Sequence, residues 1–597
     1  MRQERIGIVI PWFGKDQTGG AEQQALNLAH TLQSADQYQI EVLTTCSGSF
    51  ISPWEETKHP AGTTTVDGLR IHRFPVYPRR GKRFNKVVTK LLRIPTHELF
   101  AGVYPLSHQD ESIYWQENIR SPQMVSFLKQ HASEFKLFIF MPYLFGIIQE
   151  GIHTVADKAL LVPCLHHESY AYLNATRSMF AQARYIGFNS EGERQLAVQI
   201  YGRWIYQKSK VLGEGIEIDW NTQKATSTLQ RRLEYSWQAH SFFLSLGRQC
   251  FEKNTHLTIE AYIHFAMQHP HAPYLIVAGA SDPDFIAQRK THPKIIYLGF
   301  VDNAERSTLL QHCCALIVAS TNESFSRVMY EAWAVRKPIL AHQACLATAC
   351  AVHAGKHAKG LTFDGQDGLQ QALHDFLHLS TSEKELMGRH GFEYAKKLAN
   401  WDQVKQSYLD TFAIFPTLPT WKFPLASLAS INRDTDHPPK RYLRRKIFHE
   451  RIQVFLIKTA STHIEIHPSQ NLQIHHMELT TSNLDTFTWH ADVIVICEPV
   501  LQEQEKNLLY ILGQSQIPLL KVAAIQHPTN NCFVQEVTTS ELYATILKIC
   551  STLEAKESWL QQQNTRLGQA HLAQYAPQPT HTKSHPQQSV ELSHVTR

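Results

Sequence analysis

Three things are scarce in this 597-residue chain: paired cysteines, long apolar runs and an excess of one charge. The ten cysteines show no C-x-x-C pair and no regular spacing, which argues against a zinc site or a disulfide framework and for reduced, buried thiols. The neighbours Cys313 and Cys314 are expected inside a helix. The longest apolar run, LFIFMPYLFGII at 137 to 148, has twelve residues and an internal proline, against the roughly 20 that a membrane helix needs. No transmembrane span is expected. The opening MRQERIGIVIPWFG has too short an apolar stretch for a secretory signal and no small-residue cleavage site, so a cytoplasmic location is expected. A net charge of +5 over this length is too weak to imply nucleic acid. Histidines are numerous, 34, yet lack ligand-like spacing.

What is present fits a globular chain of several domains. Apolar residues make up 43% and aromatics 10%, enough to fill ordinary cores, and the length allows three or four domains. Charge matters locally. PRRGKRFNKVVTKLLR (78 to 93) interleaves cations with Phe, Val and Leu, a pattern that suits either an anionic membrane surface or a solvated helix face. KRYLRR (440 to 445) invites the same two readings.

Strand and helix signals alternate along the first 415 residues. RIGIVIP, QIEVLTT, LRIHRFP, FKLFIFM, ALLVPCLH and YIGFNS are apolar strands separated by helical patterns such as AEQQALNLAHTLQ (21 to 33), as in a parallel doubly wound sheet. After the Gly-rich link VLGEGIEID (211 to 219), a second set follows: FFLSLGR, YLIVAGA, IIYLGFV, ALIVAS, PILAH and GLTF. The fold class expected is therefore α/β, with two similar Rossmann-like domains facing each other, 1–205 and 206–415, the second closed by a helical stretch at 393 to 412. Residues 221 to 241 have the composition of a surface insertion. The segment FPTLPTWKFP (415 to 424) marks a boundary. Beyond it VFLIKT, THIEIH, LQIHHMEL, DVIVIC and PLLKVAA indicate a smaller α/β module, 425–570, with no chemical motif, and a Gln/Pro/His/Ser/Thr-rich tail, 575–597, expected to be disordered.

Sheets of this kind bind ligands at the carboxyl ends of their strands, so residues just after strands carry the chemistry. IPWFGKDQTGGAEQQA (10 to 25) passes from strand to helix through Gly19 and Gly20, where backbone N–H groups can approach an anion, although a plain tight turn would also use glycine. In FFLSLGRQCFEKN, Arg248 and Lys253 follow a strand, and two fixed cations suit a diphosphate, or an exposed charged loop. IIYLGFVDNAE ends a strand at Gly299, Phe300 and Val301, where backbone can meet a flat base. NESFSRVMYEAWA (322 to 334) places Glu323 and Glu331 eight positions apart across a strand-to-helix turn whose Phe325, Ser326, Arg327 and Val328 expose helix-start N–H groups. Were all eight steps helical, the two carboxylates would stand about 12 Å apart along the axis, too far to share one proton or one small ion. They can, however, grip two ends of an elongated ligand.

Arg248 with Lys253, the LGFV strand end and the E-x7-E of Glu323 and Glu331 occur here in the order seen in family 4 glycosyltransferases, which the chain resembles over roughly residues 5 to 415. LVPCLHHESYAYL (161 to 173), FNSEGE (188 to 193) and GEGIE (213 to 217) extend the likeness. The resemblance implies the two-domain GT-B fold and retaining transfer of a sugar from a nucleotide-diphosphate donor. Arg248 and Lys253 would hold the diphosphate, Glu331 the ribose and Glu323 the donor sugar, with Ser326 to Val328 meeting phosphate or sugar oxygens. His166, or its neighbour His167, would lie near the reacting sugar, unless it is a core or capping histidine. Donor binding would be metal-independent and no cofactor is implied. Asp282 and Asp284 in SDPDF are expected in a loop. The acceptor would be a glycan, lipid or small molecule, in polysaccharide, lipopolysaccharide or other glycoconjugate assembly, with peripheral contact at the inner face of a membrane through 78 to 93. A nucleotide-sugar epimerase, a sugar phosphorylase or a nucleotide-sugar-binding scaffold with an inactive transferase unit would share the architecture. Intact Arg248, Lys253, Glu323 and Glu331 favour transfer.

Overall fold

The computed structural model describes residues 3–15, 17, 19–50, 52–77, 81–99, 105–218, 229 and 242–419, together with five strand segments between 452 and 537. The insertion at 221 to 241 (apart from Leu229), the KRYLRR cluster, the THIEIH segment and the tail from 575 lie outside the described residues.

The first lobe is built on eight strands. They are β1 (Glu4–Val9), β2 (Tyr38–Thr45), β3 (Gly62–Val66), β4 (Leu69–Phe74), β5 (Phe135–Phe140), β6 (Ala159–Leu161), β7 (Tyr185–Phe188) and β8 (Ser209–Val211). Their order across the sheet is β3-β4-β2-β1-β5-β6-β7-β8. All neighbours run parallel except β3, which lies antiparallel on β4 at the edge. Ile8 pairs with Val42 on one side and Ile139 on the other. Helices cover both faces, which is why the strands are almost continuously apolar. Ile6 and Ile8 pack into one core layer and Val9 into the other.

The second lobe carries β9 (Phe242–Leu246), β10 (Tyr274–Ala278), β11 (Ile295–Gly299), β12 (Leu316–Val318), β13 (Ile339–His342) and β14 (Gly360–Phe363). The six are parallel in the order β11-β10-β9-β12-β13-β14. The order in which the parallel strands are added reverses between β1 and β5 in the first sheet and between β9 and β12 in the second. At such switch points the loops diverge and leave a crevice at the carboxyl edge. Gly19 and Gly20 follow β1, Arg248 and Lys253 follow β9, and Glu323 follows β12.

Several expectations are corrected. The stretch 393 to 412 is two helices, Thr381–Leu398 and Trp401–Ile414, broken where the Asn400 side chain accepts the N–H groups of Asp402 and Gln403. The second of them leaves the second lobe. Its Val404, Tyr408, Leu409 and Phe412 pack with Ile6, Ile8 and Leu28, and the Phe412 ring meets Tyr38 edge-on at 5.4 Å. Cys313 and Cys314 are not inside a helix, because the helix Asn303–His312 ends just before them. Asp282 caps a short helix, Pro283–Gln288, and Asp284 lies in its first turn. The short strands β3 and β8 carry no apolar run that would announce them.

The basic stretch forms the helix Lys82–Leu92, with residues 78 to 80 outside the described part. Its Phe84, Val87 and Leu91 are buried in the first-lobe core. Arg83 pairs with Glu117 at 2.7 Å and Lys90 with Asp110 at 2.6 Å. Three of its apolar side chains are therefore not available to enter a bilayer. Among the described residues no helix is long and apolar enough to cross a membrane.

The C-terminal unit holds β15 (Ile452–Ile457), β16 (Leu472–Met477), β17 (Val493–Cys497), β18 (Leu519–Val522) and β19 (Val534–Val537). They form a five-stranded parallel sheet in the order β16-β15-β17-β18-β19.

The two lobes of the first unit meet along helix Glu191–Tyr201 of the first and helix Leu346–His353 of the second. A Cβ on Gly192 would overlap the Leu346 carbonyl, so glycine lets the two backbones touch. Beside it Ser190 Oγ donates to the Ser324 carbonyl at 2.7 Å, and Cys350 Sγ lies 3.2 Å from Gln195 Oε1. Gly192→Ala should force this seam open, lowering stability by roughly 1–3 kcal/mol as overpacking does. Thermal unfolding of the variant checks this, and an unchanged melting temperature would count against the close approach.

Candidate active site

The E-x7-E segment folds as a tight turn entering the helix Arg327–Ala334. Ser326 adopts φ +71° at the N-cap, a left-handed conformation that costs a non-glycine residue free energy. The turn is braced by Phe325, whose ring stacks on Tyr330 at 3.9 Å and 3°. The Ser326 hydroxyl is buried without a hydrogen-bond partner. Buried polar groups nearly always have partners, so an unsatisfied one beside a strained turn calls for a reason.

Glu331, one turn into that helix, is the strongest such case. Its carboxylate is fully buried and neither oxygen accepts a hydrogen bond. The Arg306 guanidinium stands 3.4 Å away, close enough for charge but without hydrogen-bond geometry. Burial raises the Glu331 carboxyl above the usual range, opposed by Arg306 and Arg327.

Glu323 sits on the other side of the turn, with Lys253 Nζ donating to its Oε1 at 2.6 Å. One cation expected at the diphosphate and the carboxylate expected at the sugar are thus in direct contact. Arg248 is more exposed and lies 4.0 Å from Glu252. Around it Cys250, Glu252 and Asp282 place one ligand atom each within 4.8 Å of one another, the only group of three metal-capable residues found among the described residues. The Arg248 guanidinium competes with any cation there. Val301 is half-buried just beyond Gly299, which has φ +65°. Val328 is half-buried on the first turn of the helix.

From the first lobe, Gly19 caps helix Gly20–Gln33 with no side-chain hydrogen bond, and open space faces Gly20. His166 is half-buried after β6, where its carbonyl accepts the Glu168 N–H at 3.0 Å. It is His167, with Gly192, that joins Thr321, Asn322, Glu323 and Gln343 around one cavity of about 230 Å³ between the lobes. Residues from both lobes therefore face one space.

Two charged groups in the site were not assigned roles from sequence. Glu214, in the GEGIE segment, is buried with Arg327 3.6 Å from its Oε1, and feels the negative charges of Glu331 and Glu323. Burial pushes it up to about 7. Glu193, in FNSEGE, accepts the N–H groups of Leu165 and Asn189, both at 2.6 Å, and burial pushes it up to about 8. Both lie within quoted motifs, but a glutamate in a motif does not reveal whether it is buried. Arg306 had no signal at all, since it is one cation on a polar helix.

Residues 237–391 match the family model described as glycosyl transferases group 1. No curated protein sequence matches the chain. Among solved structures, the chain is similar to the N-terminal domain of Candida albicans trehalose-6-phosphate phosphatase, at 12% identity and a TM-score of 0.50, covering 70% of this chain and 97% of that one. A UDP-forming α,α-trehalose-phosphate synthase from Burkholderia xenovorans, in complex with glucose-6-phosphate, matches at 10% identity and a TM-score of 0.50, covering 69% and 100%. Anabaena HepE in complex with UDP and glucose matches at 16% identity and 0.46, covering 69% and 100%. At these identities the likeness is one of fold. Two facing Rossmann-like lobes and the family match define a glycosyltransferase of GT-B architecture. The part of the second lobe that matches the glycosyl transferases group 1 model is residues 237–391.

The buried glutamates make stability depend on pH. The folded-state pKa of Glu214 is raised, so its contribution is fully present below the ordinary glutamate value and is lost as pH rises through about 7. Glu214→Gln should abolish that loss, gaining stability relative to the native chain on the order of 2–4 kcal/mol between about pH 5 and pH 8. Denaturant titrations at the two pH values check it, and a pH-independent difference would contradict it.

Proposed function

We propose that the chain transfers a sugar from a nucleotide diphosphate to an acceptor hydroxyl with retention of anomeric configuration and without a metal. The observation that carries this reading is Glu331, a buried carboxylate whose two oxygens lack hydrogen-bond donors beside a strained helix start. A ribose diol supplies two donors. Charge-assisted hydrogen bonds of this kind are worth roughly 1.5–3 kcal/mol each, and without them the buried carboxylate has charge from Arg306 but no hydrogen-bond donor.

Around that anchor the other roles follow from position. The Ser326 hydroxyl and the first N–H groups of the helix, at Arg327 and Val328, face phosphate or sugar oxygens. Lys253 leaves Glu323 for the diphosphate, and Arg248 adds the second cation at the same switch point. Val301 backs the base. Gly19 and Gly20 close over the phosphates from the other lobe. Glu323, released from its lysine, faces the sugar, whose transition state carries oxocarbenium-like positive charge. The bond from the anomeric carbon to the diphosphate oxygen breaks, the acceptor oxygen bonds to that carbon, and the acceptor proton passes to the departing diphosphate. His166, from the loop after β6, would approach this step from the first lobe. The UDP-forming synthase among the similar structures makes a uridine nucleotide the first donor to try.

A panel of nucleotide-sugars, with nucleoside diphosphate release as readout, tests the reading. Glu331→Ala should raise the donor KM roughly 10- to 100-fold, as expected from one to two lost charge-assisted bonds. Glu323→Ala should lower kcat by about 10²–10³ with a smaller change in KM, the pattern of a group acting mainly in the transition state. Equal and negligible losses in both variants would refute it.

A further inference from the structure

One pair stands apart from the scattered histidines of this chain. Helix Gly365–His378 ends in HDFLH, which places His374 and His378 four residues apart at its carboxyl end. On a helix that spacing turns two side chains to one face, and H-x3-H is a frame in which helices hold zinc. The two ring centroids lie 4.2 Å apart, with planes tilted by 34°. Neither residue is buried, so an ion can reach both from solvent.

The hydrogen bonds behind the rings set both of them to ligate. His378 Nδ1 lies 2.8 Å from the His374 carbonyl, which only accepts, so Nδ1 carries the proton and Nε2 keeps its lone pair. His374 Nδ1 lies 3.4 Å from Asp375 Oδ1, and that oxygen also accepts from Gln371 Nε2 at 2.7 Å. A carboxylate likewise only accepts, so His374 presents Nε2 in the same way. A carbonyl behind one ring and a carboxylate behind the other are the outer partners that orient imidazoles in metal sites.

Charge points to the same place. His269, which ends helix Thr255–Gln268, has its ring centroid 5.4 Å from that of His374, so the carboxyl ends of the two helices converge here. The last carbonyls of a helix carry partial negative charge, and two such ends beside Asp375 attract a cation. Lys384 meets part of that charge by donating to the Leu377 carbonyl at 3.2 Å, and it bonds neither ring. The group of Cys250, Glu252 and Asp282 differs, because the Arg248 guanidinium already stands among them.

We propose that His374 and His378 chelate one zinc ion through their Nε2 atoms, with water filling the remaining positions. Neutral imidazole suits zinc, whereas magnesium and calcium take oxygen ligands. The pair sits at the other end of helix Thr255–Gln268 from Lys253, about 20 Å along the axis. The ion therefore pins the last turn of helix Gly365–His378 and takes no part in transfer, so this inference does not rest on the transferase reading.

Equilibrium dialysis of the full chain, stripped of metal, over roughly 1 µM to 1 mM free zinc tests it. The native chain should hold one equivalent more than either His374→Asn or His378→Asn, because losing a ligand costs at least the roughly 10- to 100-fold that losing an outer partner costs. Magnesium over the same range should add no equivalent that the variants lose. Equal zinc curves for the native chain and both variants overturn the proposal, as does a magnesium equivalent lost with the same histidines. Thermal unfolding without metal identifies a variant whose fold has changed, and the other variant then decides, since either substitution alone breaks the chelate.

Discussion

The site depends on one close approach between the lobes. Gly192 lets the backbone of helix Glu191–Tyr201 rest on the Leu346 carbonyl, and this contact sets the distance at which Ser190 reaches Ser324. Ser324 is the residue after Glu323. A first-lobe hydroxyl thus holds the turn that carries Glu323, so the position of Glu323 is coupled to how the lobes are seated. With any side chain at 192 the hydroxyl would be pushed away from its carbonyl, and the turn would lose its support from the opposite lobe. An active site shared by two lobes needs such a stop, because catalytic geometry is sensitive to displacements of about 1 Å.

Charge is distributed in the site in a way that protein stability alone would not favour. Glu193, Glu214 and Glu331 are all buried, and burial raises each above the ordinary glutamate range. Replacing such groups with apolar residues is often neutral or stabilising, so their presence calls for another reason. Glu193 has one: it accepts the N–H groups of Leu165 and Asn189 and ties the loops after β6 and β7 together. Glu214 and Glu331 do not, since both have oxygens without hydrogen bonds. They share Arg327 between them, one by an ion pair and the other by longer-range attraction. Arg327 is therefore held in place from two sides at the start of helix Arg327–Ala334.

Legibility from the sequence followed how local each signal was. All six strands of the second lobe are short apolar runs bounded by turn residues, and each was readable for that reason, because a buried parallel strand is apolar on both faces. The edge strand β3, GTTTV, has every residue exposed and left no apolar trace. The two helices after residue 380 read as one because the break at Asn400 is a capping event, visible only when its side chain is seen to accept two N–H groups. The pairing of Lys253 with Glu323 spans 70 residues and is a product of strand order, since β9 and β12 are neighbours in the sheet while distant in the chain. Motif resemblance could place both residues at a donor but not show them touching. Arg306 and the interlobe cavity could not be found, for they arise where residues of no special type converge.

The return of helix Trp401–Ile414 to the first lobe changes what kind of motion the two lobes can make. The chain crosses between them twice, at Gly213 to Ile216 and again at Leu398 to Trp401, and the crossings are bonded together: Glu214 N–H donates to Leu398 O at 3.2 Å and Ile216 N–H to Ala399 O at 3.0 Å. Gly213 takes φ +81° at this point. Two adjacent, hydrogen-bonded crossings constrain the lobes more than a single linker would. Glu214 sits on the crossing beside Arg327. Lobe position and the electrostatics at the start of helix Arg327–Ala334 therefore meet at one side chain, Glu214.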